Sequence, residues 1–252
     1  MIDQPNYIWE FDRVSSTLDV AMRLSKNNWL KSWDSVFSKE QVSGRGQLRR
    51  YWQSIEGNIH ATIRLPKSTL FDSSASSIAI GSLFVKAFRE LGYLIHLKWP
   101  NDLVYILDSK PVKIGGILVE SRGDIILAGI GINVLYSPDK KYLREDRALS
   151  VSNLSHCLRQ KVENFLLGFD LWKVLVKHVV STYNNTNFQN TMWLDLANEY
   201  LLWRGEKVEL IENQTLVFGI LQKIDFDGSV ILEQEGKCIK YFGCDMHCKI
   251  NN

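Results

Sequence analysis

The sequence predicts an α+β protein in which a mixed β-sheet carries helices on one face and a small β-barrel follows. Four candidate strands come in direct succession between residues 94 and 134, which favours a mixed or antiparallel sheet over a doubly wound one. Segments with helical periodicity lie before and after these strands. Beyond Arg204-Gly205 the apolar runs shorten and turn residues separate them, as in a small all-β barrel. We therefore expect two domains, 1–203 and 204–252.

The individual elements follow from capping, periodicity and turn residues. A helix is expected from Ser16, because serine and threonine satisfy the free N–H groups of a first helical turn. A long apolar-periodic helix is expected over 73–91, ending at Gly92. Further helices are expected over 151–158, 162–183 and 193–203. Strands are expected over 36–42, 58–65, 94–99, 103–107, 112–120 and 125–134, and in the barrel over 207–211, 216–224, 230–234 and 238–242.

Composition and charge exclude several classes of protein. The 252 residues are 45% hydrophobic and 23% charged, which is typical of a globular chain and excludes a disordered one. The net charge of +2 disfavours a general nucleic-acid binder. There is no run of 18 apolar residues and no secretory segment, so we expect no membrane association and a cytoplasmic location. The cysteine and histidine pattern at Cys238, Cys244, His247 and Cys248 lacks a C-x2-C pair, which disfavours a metal site there.

The first candidate for chemistry is the segment Gly44-Arg45-Gly46, which follows a predicted strand. Glycines let backbone N–H groups approach an anion, and the arginine guanidinium can bind it with two hydrogen bonds. Arg50 and Trp52 add a cation and a stacking surface. A flexible basic loop without a ligand is the alternative interpretation.

The second candidate is Lys98-Trp99-Pro100-Asn101-Asp102, at the end of a predicted strand. Here Asp102 could hold Mg²⁺ and Asn101 could bond a nucleotide. An ordinary Pro-Asn-Asp turn is the alternative.

Two neighbouring predicted strands carry glycines, in KIGGILVE at 113–120 and in GIGIN at 129–133. Glycine weakens a strand unless a ligand or another backbone comes close. One such strand is typical of a bulge, whereas two close together indicate a slot, with Lys113 beside it and Asn133 at its end.

The order of these motifs resembles the biotin protein ligases. Ser16-Thr17, Gln41 before GRG at 44–46, KWPND at 98–102, KIGGILVE and GIGIN are similar to that family over about residues 8 to 250. The resemblance implies a class II synthetase-like catalytic domain and a C-terminal SH3-like barrel. It also implies formation of biotinyl-5′-AMP from biotin and Mg-ATP, then transfer to a lysine of a biotin carboxyl carrier domain. No N-terminal DNA-binding domain is expected, so the resemblance is to a monofunctional ligase. A homodimer is possible.

The resemblance also assigns roles to individual residues. Lys113 and Arg45 are the expected catalytic residues, because they would offset repulsion between the carboxylate and the α-phosphate. ATP is assigned to Arg50, Trp52 (stacking on adenine), Asn101, Asp102 and Asn133, with Asp102 also as the Mg²⁺ ligand. Biotin is assigned to Ser16, Thr17, Leu18, Gln41, Gly44, Arg45, Gly46, Gln47, Lys113, Gly116, Gly129 and Ile132.

The chain departs from the family pattern at several positions. Gln47 and Arg49 replace an arginine and a glycine of the loop after GRG, Leu18 replaces an asparagine, and His60 stands where tyrosine is common. The altered loop over residues 47–49 keeps a non-catalytic biotin or nucleotide sensor open as an alternative. A lipoate protein ligase, which shares the catalytic fold, is the other alternative, and Gln41 with GRG and the KWPND turn argue against it. Because no N-terminal DNA-binding domain is expected, a DNA-binding repressor is disfavoured.

Overall fold

The protein contains two β-sheets and five α-helices within the residues that the structure, a computed structural model, describes: 6–139, 149–158, 166–185, 187–212 and 215–248. The strands of the first sheet are β1 (Ile8–Val14), β2 (Ser35–Gln41), β3 (Ile59–Leu65), β4 (Ile95–Lys98), β5 (Asp102–Leu107), β6 (Lys110–Arg122), β7 (Ile125–Ile132) and β8 (Ser150–Val151). Their spatial order is β1-β2-β3-β7-β6-β5-β4, with β8 against β6. The β1–β2 and β6–β8 pairs are parallel and the others antiparallel.

The helices are α1 (Thr17–Lys26), α2 (Ser76–Glu90), α3 (Leu154–Leu158), α4 (Gly168–Asn185) and α5 (Trp193–Glu199). A single π-helical turn, Phe188–Met192, leads into α5. Helices α2, α4 and α5 contribute to the large core on one face of the first sheet. Helix α1 forms a smaller core with Val36 and Leu127, so the opposite face is partly covered as well. Apolar residues at helical spacing give α1 and α2 the buried stripes that these two layers require.

The second sheet is antiparallel, in the order β12-β11-β10-β9-β13. Its strands are β9 (Lys207–Glu212), β10 (Thr215–Ile224), β11 (Val230–Gln234), β12 (Lys237–Tyr241) and β13 (Asp245–Cys248). It docks on the first unit through the β10–β11 turn: the buried indole of Trp99 donates a hydrogen bond to the carbonyl of Gly228 at 2.9 Å. Trp193 packs edge-on against Phe226, with ring centroids 6.3 Å apart.

The fold class predicted from the sequence is confirmed: a mixed sheet carries helices, and a small all-β unit follows. Strand β1 was not predicted, because its apolar positions alternate with charges and read as a surface segment. The helix predicted over 151–158 is a two-residue strand followed by α3, and the one predicted over 193–203 ends at Glu199. The first residues of the helix predicted over 162–183 lie outside the described residues, and α4 begins at Gly168. Within the described residues, no helix is long and apolar enough to cross a membrane.

Candidate active site

A row of four residues crosses the first sheet from β3 to β5. His60 lies opposite Gly131, Gly131 opposite Gly116, and Gly116 opposite Asp102. Directly opposed residues of antiparallel strands project to the same face. Since strands are spaced by about 4.8 Å, the row spans roughly 14 Å. We call it the glycine row: its middle lacks side chains, with an imidazole at one end and a carboxylate at the other.

The carboxylate end of the glycine row carries two lysines. Lys113 Nζ lies 2.6 Å from Asp102 Oδ1, and Lys98 Nζ lies 3.6 Å from Oδ2. Burial alone raises the pKa of Asp102, but the charges and hydrogen bonds of the two lysines outweigh it and hold that pKa below its usual value. A β-carbon on Gly116 would lie 3.6 Å from Lys113 Nζ. The Lys113 ammonium is therefore at the row, and the cluster has a net positive charge that suits an anion.

This cluster is not a preformed magnesium site. Both Asp102 oxygens face lysine ammonium groups, and the described residues contain no group of three or more His, Cys, Asp or Glu side chains that could hold a metal ion. Mg²⁺ usually takes one or two carboxylates together with substrate phosphates and waters. Direct ligation of Mg²⁺ by Asp102 would require a lysine to move away from the carboxylate.

The histidine end of the row joins a buried polar network. Gln41 Oε1 accepts hydrogen bonds from the Thr17 N–H at 2.8 Å and from Thr17 Oγ1 at 3.0 Å. Thr62 Oγ1 donates to Thr17 Oγ1 at 2.9 Å. The Gln41 N–H donates to Ser54 Oγ, which lies 3.2 Å from His60 Nδ1. Desolvation lowers the pKa of His60 to about 4, although the Ser38 and Lys39 carbonyls oppose it. The imidazole is thus neutral near pH 7.

Trp52 lies over the middle of the glycine row. A β-carbon on Gly131 would lie 2.5 Å from the Trp52 indole, so the ring rests on the bare backbone of β7. A β-carbon on Gly44 would lie 2.5 Å from the Trp52 carbonyl oxygen, so the two ends of the loop approach each other closely at this glycine. The structure therefore places Trp52 against Gly131, a glycine of the GIGIN strand from which the slot was predicted, and its predicted stacking on adenine stays a prediction.

Arg45 is engaged by carboxylates rather than free to receive an anion. Its guanidinium contacts Asp19 at 2.9 Å and Glu120 at 3.0 Å, and donates to Ser16 Oγ at 3.3 Å. The hydrogen bond that Arg45 donates to Glu120 is the main reason that the pKa of Arg45 is raised. Arg45, Asp19 and Glu120 border an open cleft of about 880 Å³ between the GRG loop and β6. Contact with a phosphate or carboxylate would require Arg45 to exchange partners, so its catalytic role remains a prediction.

Two of the departures from the family pattern, Gln47 and Arg49, lie on a short 3-10 turn, Gln47–Arg49. Leu48 and Arg49 have φ values of 55° and 57°, a left-handed conformation that costs non-glycine residues about 1–2 kcal/mol each. Leu48 is 82% exposed, and Arg49 and Arg50 are also exposed. The three side chains therefore face solvent, and the phosphate contact of Arg50 stays a prediction.

The remaining predicted residues divide into two groups. Ser16, Thr17 and Gln41 are buried at the polar end of the row. The Gly46 N–H donates to the Arg50 carbonyl across the loop. Leu18 lies 3.1 Å from the position that a β-carbon on Gly129 would take. Ile132 instead lies in the large core on the opposite face, because alternation along β7 turns it away from Gly129 and Gly131. The structure does not bring Ile132 to the slot.

Asn101 and Asn133, predicted nucleotide contacts, bind backbone. Asn101 Nδ2 donates to the Ile117 carbonyl at 2.8 Å, and Asn133 Nδ2 donates to the Ser152 carbonyl at 3.1 Å. Sequence reasoning missed Asp19, Glu120, Ser54 and Thr62. Thr62 could have been found from strand alternation, because it lies two residues from His60 and so shares its face of the sheet. Nothing local linked Asp19 to Arg45, which lies 26 positions away.

Comparisons with known proteins agree with this architecture. The structure is similar to biotin protein ligase from Aquifex aeolicus in complex with biotin and ATP: the TM-score is 0.74 and the identity 20%, over 96% of this chain and 99% of that one. It is also similar to the Leishmania major biotin protein ligase in complex with biotinyl-5-AMP, with TM-score 0.65 and 20% identity over 95% and 100% of the chains. The fold is therefore that of a biotin protein ligase.

Sequence comparison gives the family. Residues 10–137 match the biotin/lipoate A/B protein ligase family. The bifunctional ligase/repressor BirA of Salmonella typhimurium is 27% identical over 264 residues, which cover 96% of this chain and 79% of that protein. The Escherichia coli BirA is 29% identical, over 82% of this chain and 64% of that protein. The chain belongs to the biotin/lipoate A/B protein ligase family.

Proposed function

We propose that this protein is an ATP-dependent biotin protein ligase. It joins biotin and ATP into biotinyl-5′-AMP with release of pyrophosphate, then transfers the biotinyl group to a lysine of a biotin carboxyl carrier domain. The observation that carries the proposal is the glycine row, a strip of sheet whose middle has no side chains of its own and is covered at Gly131 by Trp52; it lies between a buried polar network and a lysine–aspartate cluster. An elongated ligand with a polar head and a carboxylate tail fits that layout. Family membership and relatives bound to biotin, ATP or biotinyl-5-AMP support it.

In the first step a biotin carboxylate oxygen bonds to the α-phosphorus, and the bond from that phosphorus to the bridging oxygen breaks as pyrophosphate leaves. Both reactants are anions, so an ammonium between them lowers the barrier. Lys113 is suited to this role, because Asp102 holds it at the row and its side chain is 29% exposed. Lys98, only 7% exposed, balances the Asp102 charge from behind. Magnesium bound with ATP neutralises phosphate charge.

In the second step the carrier lysine amine attacks the acyl carbon of the adenylate and AMP departs. Contacts to Gln41 at one end of the biotinyl group and to Lys113 at the other would hold the acyl group in place. Such positioning contributes a large part of many rate enhancements. We extend the proposal to a cytoplasmic location, because the reaction consumes ATP and because Cys157 and Cys238, in the described part of the chain, form no disulfide.

The test is a mass-spectrometric search for biotinyl-5′-AMP after mixing the purified protein with biotin and Mg-ATP. We expect an adenylate that depends on biotin and ATP. Biotin binding without adenylate would replace the proposal with a non-catalytic sensor. An adenylate formed with lipoate in preference to biotin would replace it with a lipoate ligase.

A further inference from the structure

Two buried ring nitrogens at the glycine row have no hydrogen-bond partner within the part of the chain that the structure describes. They are His60 Nε2 and Trp52 Nε1. His60 is only 1% exposed to solvent. Leaving a buried polar group unpaired is unfavourable, and such groups in folded proteins usually indicate a missing partner such as a ligand.

Both side chains meet at Gly131. His60 is its cross-strand partner on β3, and the Trp52 indole lies on its backbone. The two unpaired nitrogens therefore belong to one place on one face of the sheet, although they come from a strand and a loop. Two independent side chains at the same position indicate that a polar atom of a ligand is accommodated there.

His60 is also the last member of the buried polar network. Its Nδ1 faces Ser54 Oγ, Ser54 Oγ accepts the Gln41 N–H, and Gln41 accepts the Thr17 hydrogen bonds. A neutral imidazole has one N–H and one acceptor nitrogen. The Ser38 and Lys39 carbonyls also lie near the ring, but Nε2 makes no hydrogen bond within the described residues, so it is the atom that remains for a ligand at the polar end of the row.

We infer that His60 is a specificity-determining residue whose Nε2 pairs with the cyclic urea of the biotin head group. A cyclic urea has N–H donors and a carbonyl acceptor, so it can pair with either tautomer of His60, and its carbonyl can accept from Trp52 Nε1–H. The dithiolane of lipoate has neither N–H nor oxygen, and sulfur accepts hydrogen bonds weakly. His60 thereby selects the urea ring over the dithiolane within this family. This inference rests on the proposed function.

The experiment is calorimetric titration of the full-length protein with biotin and, separately, with lipoate, both without ATP. His60→Gln places an amide near the position of Nε2, and His60→Asn places one near Nδ1, so the two variants separate the two nitrogens. We expect His60→Asn to weaken biotin by about tenfold to a hundredfold and His60→Gln to weaken it less, with lipoate affinity the same in both. His178→Asn on the outer helix α4 is the matched control.

The opposite order, with His60→Gln the weaker binder, would mean that His60 acts only through Ser54 and would overturn the inference. Equal losses for biotin and lipoate would overturn it too, because they would indicate a collapsed pocket. A wild-type protein that binds lipoate more tightly than biotin contradicts both the inference and the proposed function. A protein that binds biotin but forms no adenylate contradicts only the ligase activity, and the variants still decide the role of His60.

A second measurement needs no variant. In protein labelled with ¹⁵N at histidine, biotin is expected to shift the His60 Nε2 resonance through a new hydrogen bond, whereas lipoate is not. An unchanged resonance with biotin bound would contradict the inference.

Discussion

Asp102 illustrates, at the scale of one residue, how the protein keeps a charge inside. Removing a carboxylate from water is costly unless opposite charge and hydrogen bonds accompany it. Lys113 and Lys98 provide both, at 2.6 and 3.6 Å. The same contacts fix Lys113 over Gly116, so the arrangement that stabilises the buried carboxylate also positions the cation needed by the proposed reaction.

Lys113→Ala is expected to reduce adenylate formation by about a hundredfold to a thousandfold, because it removes the ammonium that offsets repulsion between two anions. The measurement is pyrophosphate release in the presence of biotin and ATP. Lys110→Ala, an exposed lysine of the same strand, is the control and is expected to match the wild type. Normal turnover with Lys113→Ala would refute the assigned role.

His60 predicts a pH dependence of stability. Its pKa is lowered from 6.5 to about 4 by burial, so between these values the unfolded chain binds a proton that the folded protein does not. The free energy of unfolding therefore rises with pH across this window and falls by about 3 kcal/mol from pH 7 to pH 4. Urea unfolding of the wild type and His60→Gln at several pH values measures it. We expect a shallower profile for the variant, and parallel profiles would contradict the prediction.

At the scale of elements, the adjacent glycines of β6 have different functions. A β-carbon on Gly115 would lie 2.6 Å from the Gly131 carbonyl oxygen, a backbone atom that cannot move aside easily. One on Gly116 would meet no atom closer than 3.6 Å. Gly115 is therefore required by the close approach of β7, whereas Gly116 leaves room on the opposite face.

This difference gives a matched pair of substitutions. Gly115→Ala is expected to lower the free energy of unfolding by about 1–3 kcal/mol through overpacking. Gly116→Ala is expected to change it by less than about 0.5 kcal/mol. Chemical denaturation followed by circular dichroism compares them, and equal effects would show that the packing argument is wrong.

Most elements were predictable because their signals are local. The hairpin turn at Asp108-Ser109 adopts positive φ at both residues, as the two-residue turn between strands requires. Strand β1 escaped prediction because it is an edge strand whose charged positions face solvent. In the site, the glycine strands and Lys113 were recognisable from sequence, but the pairing of Arg45 with Asp19 and Glu120 depends on long-range contacts that no local pattern encodes.

At the scale of the molecule, the two sheets are joined by a specific contact as well as by apolar packing. Trp99 Nε1 reaches the Gly228 carbonyl, and Ser74 Oγ donates to the neighbouring Asp227 carbonyl. Gly228 has a φ of +80°, and a β-carbon on Gly228 would lie only 2.8 Å from the Cα of Ala75. The KWPND motif therefore contributes to the joint between the two units as well as to the site.

Trp99→Phe is expected to lower the free energy of unfolding by about 1–3 kcal/mol, since it leaves the buried Gly228 carbonyl without its donor. Trp29→Phe, at a residue that is 62% exposed, is expected to have an effect below about 0.5 kcal/mol. Urea unfolding monitored by circular dichroism gives both values. Similar effects of the two substitutions would mean that the hydrogen bond contributes nothing to the joint.

Asn58 restrains the motion of residues 134–136, the segment that follows GIGIN. Its Oδ1 accepts the N–H groups of three successive residues, Val134, Leu135 and Tyr136, and its Nδ2 donates to the Tyr136 carbonyl. These amides lie outside any strand, yet they can exchange with solvent deuterium only when Asn58 releases them. Hydrogen exchange is therefore expected to register them as one slow, cooperative group that opens together. Fast exchange at any of the three amides would contradict this expectation.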